Sequence, residues 1–421
     1  MTLDLAAPEL REAAATRPWL QPESYWPRLT EATKDRSAPV LALGVEALAY
    51  NAHDMLRRAG GLPIRVASKS VRVRGVLDAV LALPGYQGVL AYTLAEAVWL
   101  SETIDDIVVA YPSADRAAIA ALADDERAAS RVTIMVDSED QLDFVDSVVA
   151  PAGRRPIRVC LDFDASWQTK ALGHLGVLRS PVSTPQGLRE LAERVVARPG
   201  FELVGIMSYE AQIAGVGDQP VGKPAEGMLM RAVQRASGTE LAERRAEAIA
   251  QVRAVAPLEF VNGGGTGSIE RTVAEAAVTE VAAGSGLFGP HLFDNYRSFT
   301  PAPAVAFALD VVRRPNAETA TLLGGGWIAS GPAGQDRLPQ VTWPQGLRYA
   351  SREAAGEVQT PVIGQTARRM RVGDRVWLRH TKSGEPMEHA HELVPVRTTG
   401  ASAGTASEPL PSYRGEGRCF L

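Results

Sequence analysis

The sequence has little cysteine: Cys160 and Cys419 are the only two, and they stand far apart. That excludes a disulfide framework and a cysteine-based zinc motif. It has no run approaching the roughly 18 uncharged apolar residues that span a bilayer. Its first 17 residues carry Asp4, Glu9 and Glu12 and lack the apolar core of a signal peptide. A basic block is missing as well. Lys and Arg total 44 against 49 Asp and Glu, a net charge of −5, so nucleic acid is not an expected partner and neither is a membrane. These absences lead us to expect a cytoplasmic protein in a reducing compartment. What is present is globular in texture, 46% apolar and 22% charged. At 421 residues the chain exceeds one ordinary core and suits a barrel plus a second domain.

Residues 1–37 hold Pro8, Pro18, Pro22 and Pro27 with Trp19, Tyr25 and Trp26. They read as a short helix at Ala6–Thr16 followed by an extended N-terminal arm packing on the C-terminal domain. From Val45 apolar residues recur at helical spacing as far as Ala59, where Gly60-Gly61 and Pro63 end the pattern. A strict alternation follows. Apolar runs near Ile64–Ser68, Gly88–Thr93, Asp106–Tyr111, Arg131–Asp137, Ile157–Asp164, Phe201–Glu210, Leu258–Gly264 and Glu280–Gly284 are separated by helical segments. Strands that alternate with helices form a parallel sheet, and eight of them suggest closure into a (β/α)8 TIM-type barrel over 38–295. After about Tyr296 short β-type runs alternate with Gly/Pro turns. The segment 296–421 therefore reads as a C-terminal, mostly antiparallel β domain. Its closing stretch Tyr413–Leu421 is too distinctive for a loose end.

Two motifs carry chemistry. The run Ile64-Arg65-Val66-Ala67-Ser68-Lys69 puts one lysine at the carboxyl end of the first barrel strand, the rim where parallel α/β folds expose their sites. Such a lysine is a Schiff-base nucleophile or a phosphate ligand. The run Asn262-Gly263-Gly264-Gly265-Thr266-Gly267-Ser268 lies between the seventh strand and a helix, where backbone N–H groups, hydroxyls and a helix start make a phosphate cradle. Ala283-Gly284-Ser285-Gly286 follows the eighth strand and borders it. On a closed barrel the first and eighth strands are neighbours. A phosphate-bearing aldehyde, pyridoxal 5′-phosphate, could then reach Lys69.

With these residues in view, the chain resembles the fold-type III pyridoxal-phosphate enzymes, which share an alanine racemase-like architecture. The branch it resembles holds D-threonine aldolase and D-serine dehydratase. The resemblance implies that Lys69 carries the cofactor and that Gly264, Gly265, Thr266, Gly284 and Ser285 hold its phosphate. It places Tyr209, at the end of the sixth strand, against cofactor or substrate. Gln212, Asp162 and Asp164 are weaker polar candidates, Asp164 the better of the two acids. It implies a homodimer with a shared active site, and a lyase acting on small D-configured β-hydroxy amino acids with aldehyde products. A racemase, with Tyr296 or Tyr349 as second base, is the alternative.

Two departures from the branch stand out. His174 occupies the place of an arginine that precedes Gly-Val in relatives, so Arg179 becomes a substitute anion partner. The branch's metal-binding histidine and Asp or Cys correspond here to His380 and Lys382, and an ammonium cannot ligate a metal. We therefore expect no metal at this position, with His380 as acid–base and Lys382 as cation. A divalent metal at His389 and His391, two residues apart on one strand face, is the rival expectation.

Overall fold

The computed structural model describes residues 3–421. Two helices open it, α1 (Pro8–Ala15) and α2 (Pro22–Ala32), then β1 (Val40–Gly44) and α3 (Val45–Ala59). The extended arm expected after α1 is thus a helix. Pro22 sits in its first turn, where a missing N–H costs nothing, and only Pro27 forfeits a bond. Tyr25, Trp26 and Leu29 are buried together, which repays that loss.

The barrel elements follow in order: β2 (Ile64–Ala67), α4 (Arg74–Leu81), β3 (Tyr86–Ala91), α5 (Leu94–Leu100), β4 (Ile107–Val109), α6 (Arg116–Asp124), α7 (Glu126–Arg131), β5 (Val132–Val136), α8 (Glu139–Val148) and β6 (Ile157–Asp162). A hairpin of β7 (Trp167–Thr169) and β8 (Gly173–Leu175) interrupts the pattern. Then come α9 (Pro185–Ala197), β9 (Phe201–Ser208), α10 (Ala211–Ala214), α11 (Pro224–Arg253), β10 (Phe260–Gly263), α12 (Ile269–Thr272) and β11 (Glu280–Ala283). The eight strands close in the order β10-β11-β2-β3-β4-β5-β6-β9, every pairing parallel. The (β/α)8 expectation holds. Side-chain caps start several helices: Thr93 accepts from the Glu96 N–H, Asp115 from Ala118 and Thr184 from Gly187.

Two barrel helices also differ from the sequence expectation. The stretch before Gly238 reads as a polar loop, yet α11 starts at Pro224. Its buried face carries Gly227, Gln234, Ser237, Gly238 and Arg245 besides Leu241, Ala248, Ile249 and Val252. Small and polar residues form much of the buried stripe, so apolar periodicity cannot reveal it. Conversely α12 is only four residues long. The helix start expected beneath the glycine loop therefore adds little dipole.

The chain divides into two compact units. The barrel unit comprises 55–69, 84–284 and 420–421. Inside it, Arg65 pairs with Glu280 at 2.6 Å and with Asp106 at 2.9 Å, at the amino-terminal ends of their strands. Above this ion group sit Ala67, Leu90, Val108, Met135, Cys160, Met207, Phe260 and Ala282, a packed layer rather than a pore.

The sheet unit comprises the chain up to Asp54, 70–83 and 285–419. Its strands are β12 (Val305–Asn316), β13 (Thr319–Leu323), β14 (Gln340–Trp343), β15 (Arg348–Tyr349), β16 (Gln359–Ile363), β17 (Arg375–Arg379), β18 (Glu392–Arg397), β19 (Thr405–Ala406) and β20 (Leu410–Pro411). β1 enters this sheet between β12 and β18, antiparallel to the first and parallel to the second. All other pairings here are antiparallel. Tyr25, Trp26, Ala42, Ala308, Trp377 and Val396 share its core. The closing stretch docks through Tyr413, which is buried and gives its N–H to the Arg72 carbonyl at 3.0 Å.

Candidate active site

The carboxyl-terminal rim of the barrel unit collects the first motif and much of the second. Lys69 lies on a short 3-10 turn, Ser68–Ser70, directly after β2. Its Nζ donates to the Tyr111 hydroxyl at 2.9 Å, across β3 to the end of β4. The Arg179 guanidinium stacks on two tyrosine rings at this rim, 5.3 Å from the centre of Tyr111 and 5.4 Å from that of Tyr209. Asp162 ends β6 beside them, and Asp162, Asp164, Arg179 and Tyr209 line one small cavity. Tyr111 carries no motif, and only the tertiary placement reveals it.

The electrostatics follow from burial and neighbours. Burial pushes the Tyr209 phenol up to about 12, against the pull of Arg179. Burial also raises the Tyr111 phenol, but the Lys69 ammonium bonded to it and Arg179 outweigh that, leaving it below the usual tyrosine value. The Asp162 carboxyl is raised to about 7, first by burial and then by Asp137, with Arg179 opposing and Asp164 adding. The sign of the stability effect follows. Unfolded, Asp162 ionises near the ordinary carboxylate value of about 3.9, so between there and about 7 the folded chain keeps a proton the unfolded chain has lost. Its contribution is full below about pH 4 and is gone once pH has risen through 7. We expect Asp162→Asn to remove about 2–3 kcal/mol of the stability loss between pH 5 and pH 8, measured from urea midpoints of the cofactor-free protein. Equal pH slopes in variant and wild type would contradict this assignment.

Asp164, the acid favoured from sequence, turns its Oδ1 to the Ser166 N–H at 3.0 Å. β6 ends at Asp162, so strand alternation does not carry through to Asp164. Gln212 Nε2 ties the Ala165 carbonyl at 2.6 Å to the Ser237 hydroxyl at 3.0 Å. His174 sits on the β7–β8 hairpin with its ring against Gln168.

The glycine loop after β10 is built from beneath by a residue that carries no motif. Glu210 is buried and accepts from the Gly264 N–H at 3.1 Å, the Ser268 hydroxyl at 2.9 Å and Arg245 at 2.9 Å, with Thr272 adding a short fourth bond of 2.5 Å. The Gly265 N–H goes to Ser268 Oγ at 3.1 Å. Arg58 holds the Thr266 carbonyl at 2.6 Å and pairs with Glu270. Two of the N–H groups expected to face a phosphate are thus engaged, Gly264 by Glu210 and Gly265 within the loop. Glycine is nonetheless required: Gly264 has φ +80°, and a Cβ on Gly265 would sit 3.0 Å from the Tyr209 ring. A Cβ on Gly284 would lie 2.4 Å from the Ala67 carbonyl oxygen. Gly284→Ala is expected to cost about 1–3 kcal/mol in urea unfolding, because β11 and β2 approach closely there.

In the sheet unit, Ser285 begins a 3-10 turn, and its carbonyl accepts the Ser383 hydroxyl at 2.9 Å. His380 follows β17 and is buried. Its Nδ1 lies 3.0 Å from the Val305 carbonyl, so Nδ1 carries the hydrogen and Nε2, 3.2 Å from Ser383 Oγ, carries the lone pair. Burial lowers its pKa to about 3, with Arg379 and His291 adding, so the ring is neutral. Lys382 instead meets Ser330 Oγ at 3.1 Å, on a hydroxyl that Glu385 also holds. The two residues lie beyond the end of β17, so they do not share a strand face. The same holds for His389 and His391. They precede β18, and His389 stacks on Trp327 at 4.9 Å. Among the described residues no three His, Cys, Asp or Glu side chains are placed to hold one metal ion. Tyr349 gives its hydroxyl to the Pro339 carbonyl at 2.7 Å, and Tyr296 is buried with Phe293 and Phe299.

A lysine and a glycine loop stand on one rim, two strands apart across β11, an arrangement suited to a phosphate-bearing aldehyde. The chain belongs to the family of the alanine racemase N-terminal domain, whose model matches residues 44–291, and is a fold-type III pyridoxal-phosphate protein. Among characterised proteins it is similar to 3-hydroxy-D-aspartate aldolase of Paracoccus denitrificans, 26% identical over 253 residues. That match spans 59% of this chain and 60% of the aldolase's length. Among solved structures it resembles D-threonine aldolase from Filomicrobium marinum, with TM-score 0.73, 20% identity, and 90% and 96% of the two chains covered. It also resembles D-threo-3-hydroxyaspartate dehydratase from Delftia sp. HT23, with TM-score 0.70, 17% identity, and 89% and 97% covered. The rim fits the pyridoxal phosphate that this family implies. It offers an amine and a glycine loop in which a Cβ on Gly263, Gly264 or Gly265 would crowd Thr272, Ala214 or Tyr209. Among the described residues no helix is long and apolar enough to cross a membrane.

Proposed function

We propose that this protein is a pyridoxal-phosphate-dependent lyase acting on D-configured β-hydroxy amino acids, by aldol cleavage or by dehydration. The observation that carries the reading is Lys69 on the rim that also holds the glycine loop and Tyr209. The relatives named as aldolase and dehydratase support the substrate class.

In this reading Lys69 binds the cofactor aldehyde, and Tyr209, Gly264, Gly265, Thr266, Gly284 and Ser285 surround the cofactor. When bound, the cofactor delocalises the electrons released at the substrate's Cα. The chain's own residues do the rest. For dehydration, Lys69 takes the Cα proton. Arg179, held on two tyrosine faces, positions an anionic group. His380 is the acid–base for the β-hydroxyl and Lys382 the accompanying cation. The branch resemblance supports this pair; in the chain itself His380 Nε2 meets Ser383 and Lys382 meets Ser330. A homodimer with a shared site and a cytoplasmic location belong to the same proposal, supported by the branch resemblance and by cysteine usage.

Incubation of the cofactor-loaded protein with D-threonine, D-serine and D-threo-3-hydroxyaspartate tests the reading. Aldehyde with glycine marks cleavage, and a 2-oxo acid with ammonia marks dehydration. Inversion at Cα with neither product would make it a racemase.

A further inference from the structure

Beyond this reading, though resting on its assignment of Lys69, one contact on the rim has no assigned purpose. Tyr111 is a half-buried phenol at the end of β4, and the Lys69 Nζ donates to it at 2.9 Å, within proton-transfer distance. Structural tyrosines usually donate their hydroxyl to a backbone carbonyl, as Tyr25 does to Pro303 and Tyr349 to Pro339. Tyr111 is instead an acceptor from the very amine that must lose a proton to become a nucleophile.

We propose that Tyr111 is a further catalytic residue, whose phenolic oxygen receives the proton from Lys69 Nζ as that amine attacks the cofactor aldehyde. The step balances. The proton passes from Nζ to the ionised Tyr111 oxygen, the pair left on Nζ forms the N–C bond, and the aldehyde oxygen leaves as water. When a substrate amine displaces Lys69, the phenol returns the proton to the departing nitrogen.

The groups facing Tyr111 support this use. Lys69 lies after β2, Arg179 stacks over the ring from the segment after β8, and Asp162 reaches it from β6. Tyr209, directly after β9, shares the same guanidinium, and Asp137 and Asp164 both act on Asp162. Two cations against one partly protonated acid leave the phenol below its ordinary value. That direction favours the ionised oxygen, which the 2.9 Å contact places to receive the Lys69 proton.

The test uses the cofactor-free full chain and Tyr111→Phe, with pyridoxal phosphate as probe. Covalent attachment is followed by borohydride trapping and peptide mapping across pH, and tyrosine ionisation by ultraviolet difference titration. We expect trapping on Lys69 in both proteins, with the variant slower by about 10- to 100-fold at neutral pH. The acid limb of its rate profile should lie about one pH unit higher, and one low-ionising tyrosine of the wild type should be absent. Attachment at the wild-type rate throughout, or an unchanged tyrosine titration, overturns the role of Tyr111. Trapping at another lysine, or none in the wild type, overturns the assignment of Lys69 itself and so separates the two failures.

Discussion

Lys69→Ala should abolish covalent cofactor attachment and lower kcat/KM on any accepted β-hydroxy amino acid by about 10³-fold or more, at least about 4 kcal/mol of transition-state stabilisation. The reason is positional. Lys69 leaves β2 at the barrel's carboxyl rim, exposed, with Nζ directed across β3 to Tyr111. The fold should be untouched, because the Lys69 side chain is exposed and β2 owes its burial to Ile64, Arg65, Val66 and Ala67. Visible absorbance after loading with pyridoxal phosphate, borohydride trapping and a urea unfolding curve together check the prediction. A variant that still traps the cofactor at wild-type stoichiometry, with unchanged stability, would refute it. The Lys69→Arg variant is the stricter companion. It keeps the charge beside Tyr111 but offers no amine able to form the covalent link.

Removal of the Glu210 carboxylate has the second largest expected effect. This group is fully enclosed and takes donors from Gly264, Ser268, Thr272 and Arg245. Burial alone would raise its pKa, but Arg245 and the two hydroxyls outweigh burial and hold it below the usual carboxylate range. Its contribution is thus present above the unfolded carboxylate value and lost as pH falls through the folded one. Glu210→Ala strands the Arg245 charge with only Glu275, at 2.9 Å, as acid partner, and should cost about 3–5 kcal/mol. Glu210→Gln keeps the shape and should remain folded with a smaller loss. Because Glu210 acts through the glycine loop, the Gln variant should bind pyridoxal phosphate about 10- to 100-fold more weakly. Its kcat at saturating cofactor should change far less than this affinity. Equal losses in both quantities would mean that Glu210 touches the reaction rather than positioning the loop.

Local pattern and tertiary contact place different residues of this protein. Ile64–Ala67 and Phe260–Gly263 are short apolar runs between helices, and one-dimensional pattern suffices to place a lysine and a glycine loop at their ends. Helix α11 resisted the same reading, since its buried stripe holds Gly227, Gln234 and Ser237 and periodicity detects only apolar surface. Strand β1 has no counterpart among the sequence expectations. Its partners are about 265 and 350 residues away, and no local signal reports such pairings. Glu210 and Tyr111 were equally silent, because each follows a residue or strand with a stronger claim to notice, and neither belongs to a motif.

The sequence by itself determined the order of eight strands and helices, the lysine at the first strand's end and the glycine turn after the seventh. Each of these depends on neighbours within a few residues, where sterics and burial act locally. Only the tertiary structure decided which carboxylate braces that turn, which phenol meets the lysine, and that His380 and Lys382 point to different partners. Hydrogen bonds and charges work over about 3–6 Å of space, and barrel closure brings together residues that chain distance keeps far apart.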